Sequence, residues 1–199
     1  MIIRVVVSLV FCCLIFSSQA QKKEVVEGFL PILSAVKVNS ETAKGEIQNN
    51  SSSYIDDHLS FTWTYIKKED EFSLTVKNNG TKSVKILWQE SGFVSPSSSI
   101  ERIFYGGMKY FGRYSEQMPT RLYANTMINN KIEVFTYSDD NLRKLPIYDT
   151  EQTSVFAKME ELKEKADKTK FRFILVIIDG KNEFEYDFHF STVLKIKGK

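Results

Sequence analysis

Long stretches of this chain alternate apolar and polar residues with a period of two. The clearest run is Leu59 to Tyr65, where every second residue is a large apolar one. Successive side chains of a β-strand point to opposite faces, so the alternation is typical of strands with one buried and one solvated face. The pattern predicts strands at residues 59–65, 72–77, 84–89, 100–105, 132–137, 171–178 and 183–190.

Two dipeptides that contain glycine are predicted to form tight hairpin turns. Asn79-Gly80 separates the second and third runs, and Asp179-Gly180 separates the last two. The favoured two-residue turns require positive φ, which Asn, Asp and Gly adopt most easily. We therefore expect positive φ at both Asn79 and Gly80, which makes Gly80 a structural residue. Trp88 alternates in step with Val84 and Ile86, so it should point to the buried face of its strand and is expected to be a core anchor.

One stretch has helical periodicity instead. Its apolar residues recur at a spacing of three or four, and Glu161 and Lys165 form an i,i+4 pair of opposite charges. The sequence predicts one added α-helix near residues 151–166. Such a helix would lie across an open end or edge of the sheet, where it would cover unpaired strand edges.

The number and pattern of strands define the expected fold class. The chain has 199 residues, of which 42% are hydrophobic and 13% aromatic, enough for one domain with its own core. Seven or eight short antiparallel strands predict a mainly β fold, a two-layer antiparallel β-sandwich of immunoglobulin-like type. The expected organisation is a signal peptide at 1–20, a loosely structured or edge-forming segment at 21–53 and the sandwich domain at 54–199.

The N-terminus has the features of an export signal. A positive charge at Arg4 precedes the twelve-residue apolar run Val5 to Phe16, and small residues at Ser18 and Ala20 match a signal-peptidase site. The run is shorter than the roughly 20 residues that a membrane-spanning helix needs. We expect a periplasmic or secreted protein with no transmembrane segment in the mature chain. The alternative is a lipoprotein acylated at Cys12 or Cys13.

Composition excludes several classes of function. A net charge of +2 is far from the basic balance of an electrostatic nucleic-acid binder, so no nucleic acid is expected as a partner. The chain has two Cys, both in the apolar run of the signal, and two His, His58 and His189. Zinc sites need three or four ligands at set spacings. We therefore expect no metal site and no cofactor.

One segment combines aromatic and basic side chains. Such a mixture can stack on bases or sugars and hold an anionic group. The other interpretation is a strand pair whose aromatics fill the core and whose basic residues face water. The candidate binding residues are Arg102, Tyr105, Lys109, Tyr110 and Arg113.

Several short motifs carry a resemblance to a known family. They are Val76-Lys77-Asn78-Asn79, Ile86-Leu87-Trp88-Gln89-Glu90, Arg102-Ile103 with Gly106-Gly107, Lys109-Tyr110 and Gln117-Met118-Pro119-Thr120. With the C-terminal hairpin, this stretch resembles a family of uncharacterised exported bacterial proteins and lipoproteins with an immunoglobulin-like β-sandwich. Gln89 stands where the family has an acidic residue after the Trp, and Ser95 to Ser99 replaces a turn richer in Asp and Gly. The resemblance implies an envelope-associated protein and carries over no catalytic residue.

Two functions remain open at this point. The first is a non-catalytic binding or interaction module of the cell envelope, with loops that contact a protein or a glycan. The second is an extracytoplasmic hydrolase that uses paired carboxylates. No nucleophile motif or phosphate-binding loop is present, which favours a protein that is not an enzyme.

Export gives the first testable prediction. The small residues at Ser18 and Ala20 place cleavage after Ala20, so N-terminal sequencing of the protein from the envelope should begin at Gln21. A chain that begins at Cys12 or Cys13 and carries lipid would contradict cleavage at this site and establish the lipoprotein alternative.

Overall fold

The computed structural model describes residues 26–48, 52–66, 71–106, 116–138, 141–144 and 169–196. The predicted signal peptide and the predicted helix near 151–166 lie outside these residues. All seven predicted strand runs are confirmed. The strands of the described residues are β1 (Val26–Val38), β2 (Glu41–Thr42), β3 (Glu46–Gln48), β4 (Ser53–Ile55), β5 (Leu59–Ile66), β6 (Glu71–Asn78), β7 (Val84–Val94), β8 (Ile100–Tyr105), β9 (Thr120–Leu122), β10 (Met127–Ser138), β11 (Asn141–Lys144), β12 (Lys170–Asp179) and β13 (Asn182–Ile196).

The described strands join into one continuous antiparallel sheet. Their order is β2-β1-β13-β12-β7-β8-β10-β6-β5-β4-β3, and β11 pairs with β10 while β9 pairs with β7. The mainly β, antiparallel fold expected from the sequence is therefore confirmed. The expected division into two separate layers is not seen in this hydrogen-bonding pattern, because one sheet runs through all the described strands.

The sheet curls so that its two halves face each other. Strands β4, β5 and β6 supply one set of inward aromatic rings, and β12 and β13 supply the other. The ring of Trp63 stacks on Phe173 with centroids 4.5 Å apart, and Phe61 lies 4.9 Å from Tyr186. The nearly fully buried rings of the two sets belong to Tyr54, Phe61, Trp63, Phe72, Phe171, Phe173, Tyr186, Phe188 and Phe190. This aromatic core holds the two halves together.

The N-terminal segment supplies both ends of the strand order. Strand β1 pairs with β13 from Val26 opposite Ile196 to Val38 opposite Tyr186. Strands β2 and β3, the ends of the order, also come from residues 21–53. The register of β1 shifts twice, between Val26 and Gly28 and, at a bulge that contains Ser34, between Leu33 and Ala35. Ser34 and Ala35 are both exposed on the outer face of the sheet as a result.

The predicted hairpin at Asn79-Gly80 is wrong. Strand β6 pairs with β5 and β10, whereas β7 pairs with β12, β8 and β9, so this connection joins strands that are not neighbours. Neither Asn79 nor Gly80 has positive φ. The connection is instead shaped by the buried side chain of Asn78. Its Oδ1 accepts a hydrogen bond from Gly80 N at 2.9 Å, and its Nδ2 donates to Lys82 O at 2.7 Å.

The second predicted hairpin is confirmed, although its turn lies one residue later than the predicted Asp179-Gly180. Asp179 pairs with Asn182 across β12 and β13, so Gly180 and Lys181 form a two-residue loop. Gly180 has a φ of 64°, in the left-handed region that glycine enters without steric cost.

These two glycines give a matched test of the turn assignment. Gly180→Ala should lower the free energy of unfolding by about 1–2 kcal/mol, the cost of a left-handed conformation for a residue with a Cβ. A Cβ added at Gly180 would have no atom within 4 Å, so backbone strain is the dominant cause of the expected loss of stability. Gly80→Ala should cost less, because its φ is not positive and its nearest contact is Asn78 Oδ1 at 3.2 Å. Urea melts of both variants measure the difference, and a larger loss for Gly80→Ala would contradict the assignment.

Candidate functional site

A large bulge in β7 organises the middle of the sheet. Gly92 lies opposite Ile174 on β12 and Leu87 lies opposite Val176, so four residues of β7 face a single residue of β12. Ser91 closes this bulge, since its Oγ donates to Leu87 O at 2.8 Å and accepts from Val176 N at 3.1 Å. On its other edge β7 pairs with β9 before the bulge and with β8 after it.

The side chain of Gln117 satisfies backbone groups beside the bulge. It is 1% exposed, and its Nε2 donates to Ile103 O at 2.7 Å and to Trp88 O at 3.4 Å. The indole of Trp88 donates to Thr120 Oγ1 at 2.7 Å. Gln89 Oε1 accepts hydrogen bonds from Gln117 N and from the guanidinium of Arg102. Motif residues from three separate segments thus meet in one hydrogen-bonded cluster that supports the bulge.

The structure does not gather the predicted binding residues on one face. Arg102 lies on the outer face of β8, where its guanidinium carbon is 5.1 Å from the centroid of the Phe104 ring. Tyr105 lies on the inner face, with its ring 5.1 Å from that of Trp88. Successive side chains of a strand point to opposite faces, so Arg102 and Tyr105, which are three positions apart, lie on different faces. The remaining candidates, Lys109, Tyr110 and Arg113, lie outside the described residues.

The two residues predicted to be structural have different outcomes. Trp88 is fully buried, as expected of a core anchor. Gly80 lies in the β6–β7 connection, where its N–H donates a hydrogen bond to Asn78 Oδ1. It does not have the positive φ that we expected from the sequence.

A clasp between Asp56 and Tyr186 joins the two halves of the sheet at one end. Asp56 Oδ1 accepts from the backbone N–H groups of His58 and Leu59 at 2.9 and 2.7 Å, which fixes the carboxylate in the β4–β5 loop. The Tyr186 hydroxyl donates to Asp56 Oδ2 at 2.9 Å. Burial, followed by the charge of Asp56, raises the pKa of Tyr186 well above its ordinary value of 10.0.

A groove lies on the outer face of the sheet, towards the end opposite the clasp. Its volume is about 620 Å³, within the range of ligand-binding pockets. Strands β1, β13 and β12 form the floor, and the loop Ser95–Ser99 between β7 and β8, here called the serine loop, forms a wall. The described residues that line it are Ser34, Ala35, Val94, Ser95, Pro96, Ser98, Lys170, Phe171, Arg172, His189, Phe190 and Ser191.

Hydroxyl groups hold the serine loop in one shape. Ser95 Oγ lies 2.8 Å from Ser97 Oγ and 2.6 Å from Ser99 Oγ. Backbone bonds link Ser95 N to Ser99 O and Ser98 N to Ser95 O, both at 2.9 Å. Ser98 has a φ of 67°, an uncommon conformation for a residue with a side chain. The loop is therefore a defined wall of the groove.

A buried carboxylate orients two of the basic side chains in the groove. Asp187 is 6% exposed although it points to the outer face of β13. Its Oδ2 accepts a hydrogen bond from Arg172 Nη1 at 2.6 Å and lies 3.1 Å from His189 Nε2. Charge-assisted bonds of this kind are short and directional. They fix Arg172 and His189 side by side on the groove floor.

Two buried carboxylates of the described residues lie beside basic side chains. Glu71 lies 3.7 Å from Lys131, and Asp187 lies 2.6 Å from Arg172. No group of three or more His, Cys, Asp or Glu side chains that could hold a metal ion occurs in the described part of the chain. Nor does any helix of the described residues have the length and apolarity needed to cross a membrane.

Sequence reasoning did not predict this site. The sequence pointed to His189 only as one of two histidines, too few for a zinc site. The polar phase of β12 carried Lys170 and Arg172, and this alternation is the signal that could have found them. Their meeting with Ser34 depends on the pairing of β1 with β13, which the periodicity does not specify.

Comparison of the chain with protein-family models, with curated proteins and with solved structures gave no match. The resemblance to exported bacterial proteins therefore remains a prediction.

The clasp predicts a change in stability at alkaline pH. An unfolded tyrosine ionises near pH 10, whereas the folded Tyr186 keeps its proton to higher pH. Above pH 10 the unfolded state binds fewer protons than the folded state, so stability falls as the pH rises. Tyr186→Phe removes this contribution. At pH 7 the variant should be less stable by roughly 1–3 kcal/mol, because a hydrogen bond to a charged acceptor is lost.

Urea melts between pH 7 and pH 11 measure this effect. The stability difference between the parent and Tyr186→Phe should narrow above pH 10. Burial also raises the pKa of Tyr54, but this residue is common to both proteins and cancels in the comparison. A difference that stays constant across the whole range would contradict the raised pKa of Tyr186.

Proposed function

We propose that this chain is an exported, non-catalytic binding module whose ligand enters the groove beside the serine loop. The observation that carries the proposal is the set of oriented polar groups in the groove. Lys170, Arg172 and His189 supply charged or polar donors, and the serines supply hydroxyl groups. Because Asp187 fixes Arg172 and His189, these groups lose little conformational freedom when a ligand binds.

The curled sheet provides the rigid support that such a site needs. In this proposal the two halves of the sheet act as the two layers of an immunoglobulin-like sandwich, with the aromatic core between them. Binding residues are commonly placed on loops that a rigid scaffold positions. The serine loop is such an element, because it joins β7 to β8 next to the paired strands β12 and β13.

The segment from Trp88 to Thr120, which includes the candidate binding residues, contributes part of the groove. It contains the groove residues Val94, Ser95, Pro96 and Ser98. Arg102 and Tyr105 are not among the groove residues, and a binding role for them and for Lys109, Tyr110 and Arg113 stays a prediction. The partner proposed from the sequence, an envelope protein or a glycan, also stays open at this level.

Export to the periplasm or the exterior is part of the same proposal. It depends on the positively charged and apolar residues of the N-terminus and on the small residues at Ser18 and Ala20. The composition agrees with it, because the Cys residues of the chain are confined to the predicted signal. A mature chain without Cys needs no disulfide to fold in an oxidising compartment.

Site-specific photocrosslinking tests the location of the binding site. A photoreactive amino acid would replace either Lys170, in the groove at the start of β12, or Lys181, in the loop after β12; both lysines are exposed. The ten residues of β12 place them about 30 Å apart. After irradiation of intact cell envelopes, the protein is purified and its adducts are identified by mass spectrometry.

The photoreactive residue at position 170 should capture a defined molecule that the one at position 181 does not capture. A second groove position, Pro96 in the serine loop, should capture the same molecule. Equal adducts at both lysines, or none in the groove, would contradict the proposed site. Purified protein with unchanged melting behaviour serves as the folding control for each substitution.

A further inference from the structure

An exposed apolar patch adjoins the groove on the outer face of the sheet. Leu30, Ile32 and Val193 are 44%, 38% and 38% exposed. The register places Leu30 opposite Val193 and Ile32 opposite Ser191, a residue of the groove floor. These three side chains, here called the apolar patch, therefore continue directly from the groove along β1 and β13.

The charge of the groove has one sign. Its described lining residues include Lys170, Arg172 and His189 and no acidic residue. The chain as a whole is nearly balanced, with 27 basic and 25 acidic residues, so this composition is a local segregation. Asp187 lies beneath the floor, where its carboxylate is buried and bonded to Arg172. Lys170 is exposed and pairs in register with Ser191, at the boundary with the apolar patch.

We propose that the groove and the apolar patch together bind a single-chain amphiphile with an acidic headgroup. The headgroup lies among Lys170, Arg172 and His189, where basic donors and serine hydroxyls can hold its oxygens. The chain lies over Leu30, Ile32 and Val193 and removes their apolar surface from water. This inference rests on the proposed function, since it names the ligand class of the same groove.

The geometry favours an amphiphile over a purely polar ligand. A free sugar or a small anion would use the groove but leave the apolar patch in water. A purely apolar ligand would cover the patch but displace water from charged groups without replacing their hydrogen bonds. An amphiphile with an acidic end matches both surfaces in the order in which they occur along β13, from His189 through Ser191 to Val193.

The binding test uses three soluble probes and the purified protein. Decanoate carries both parts of the proposed ligand, acetate carries the headgroup alone, and decyl maltoside carries the chain with a neutral head. Calorimetric titration should show binding of decanoate at least about tenfold tighter than binding of either control probe, since each surface contributes an independent part of the affinity. Binding should weaken as salt is raised, because the headgroup contacts exposed charge.

Matched variants test which residues contact the headgroup and which contact the apolar chain of the ligand. Lys170→Glu should weaken decanoate binding by about tenfold, whereas Lys181→Glu at the opposite end should leave it unchanged. Ile32→Ser should weaken binding by about fivefold through lost apolar contact. Met127→Ser, which removes a side chain that is 69% exposed at the opposite end of the sheet, is its control. Each variant is first checked for a parental melt.

The outcomes separate this inference from the proposed function. Equal binding of decanoate and decyl maltoside would overturn the acidic headgroup, and equal binding of decanoate and acetate would overturn the role of the apolar patch. If decanoate does not bind while Lys170 crosslinks a glycan or a protein, the groove remains the binding site and the amphiphile is wrong. If decanoate does not bind and the groove gives no adduct, both proposals fail.

Discussion

The contact between two sets of aromatic rings is the constraint on which the rest of this structure depends. The inner face of the sheet is apolar along most of its strands, and such a face must be buried. Curling lets one sheet bury that face against itself, with Trp63 on Phe173 and Phe61 on Tyr186. Each such ring buries about 150–250 Å² of surface, and paired rings add about 0.5–1.5 kcal/mol beyond that burial. The two halves therefore stabilise each other, because the apolar face of each half would be exposed to water without the other.

Curling has a consequence for the backbone. A sheet bends most sharply at bulges, and a bulge leaves backbone groups without their regular ladder partners. The bulge in β7 is closed by Ser91 and by Gln117, whose amide reaches Trp88 O and Ile103 O. At the bulge in β1, the Oγ of Ser34 donates to His189 O at 3.0 Å. Polar residues that look like loop or motif residues in the sequence thus satisfy the hydrogen bonds that the curl leaves open.

The sequence reveals the strands of this protein far better than their arrangement. Alternation shows which residues of β5 or β12 face inwards, because the side-chain period of a strand is two. It does not show which strands are neighbours, and the error at Asn79-Gly80 has this origin: the dipeptide fits a hairpin, but β6 and β7 do not pair. The groove could not be predicted for the same reason. Arg172 meets β13 through the predicted hairpin, but Ser34 meets it only through the long-range pairing of β1 with β13.

The burial of Asp187 requires an explanation of its own. A buried ion pair is weak support for stability, because apolar side chains of similar size often pack as well or better. Asp187 and Arg172 lie on the outer face, where a pair of apolar residues would continue the environment of Val94 and Val176, both nearly buried. What the ion pair adds is orientation, since the carboxylate holds the guanidinium and the His189 ring in fixed positions. Removing either basic partner would leave the carboxylate less well compensated, so the three residues act as a unit. Fixed donors beside an exposed lysine are more useful to a binding groove than to a core.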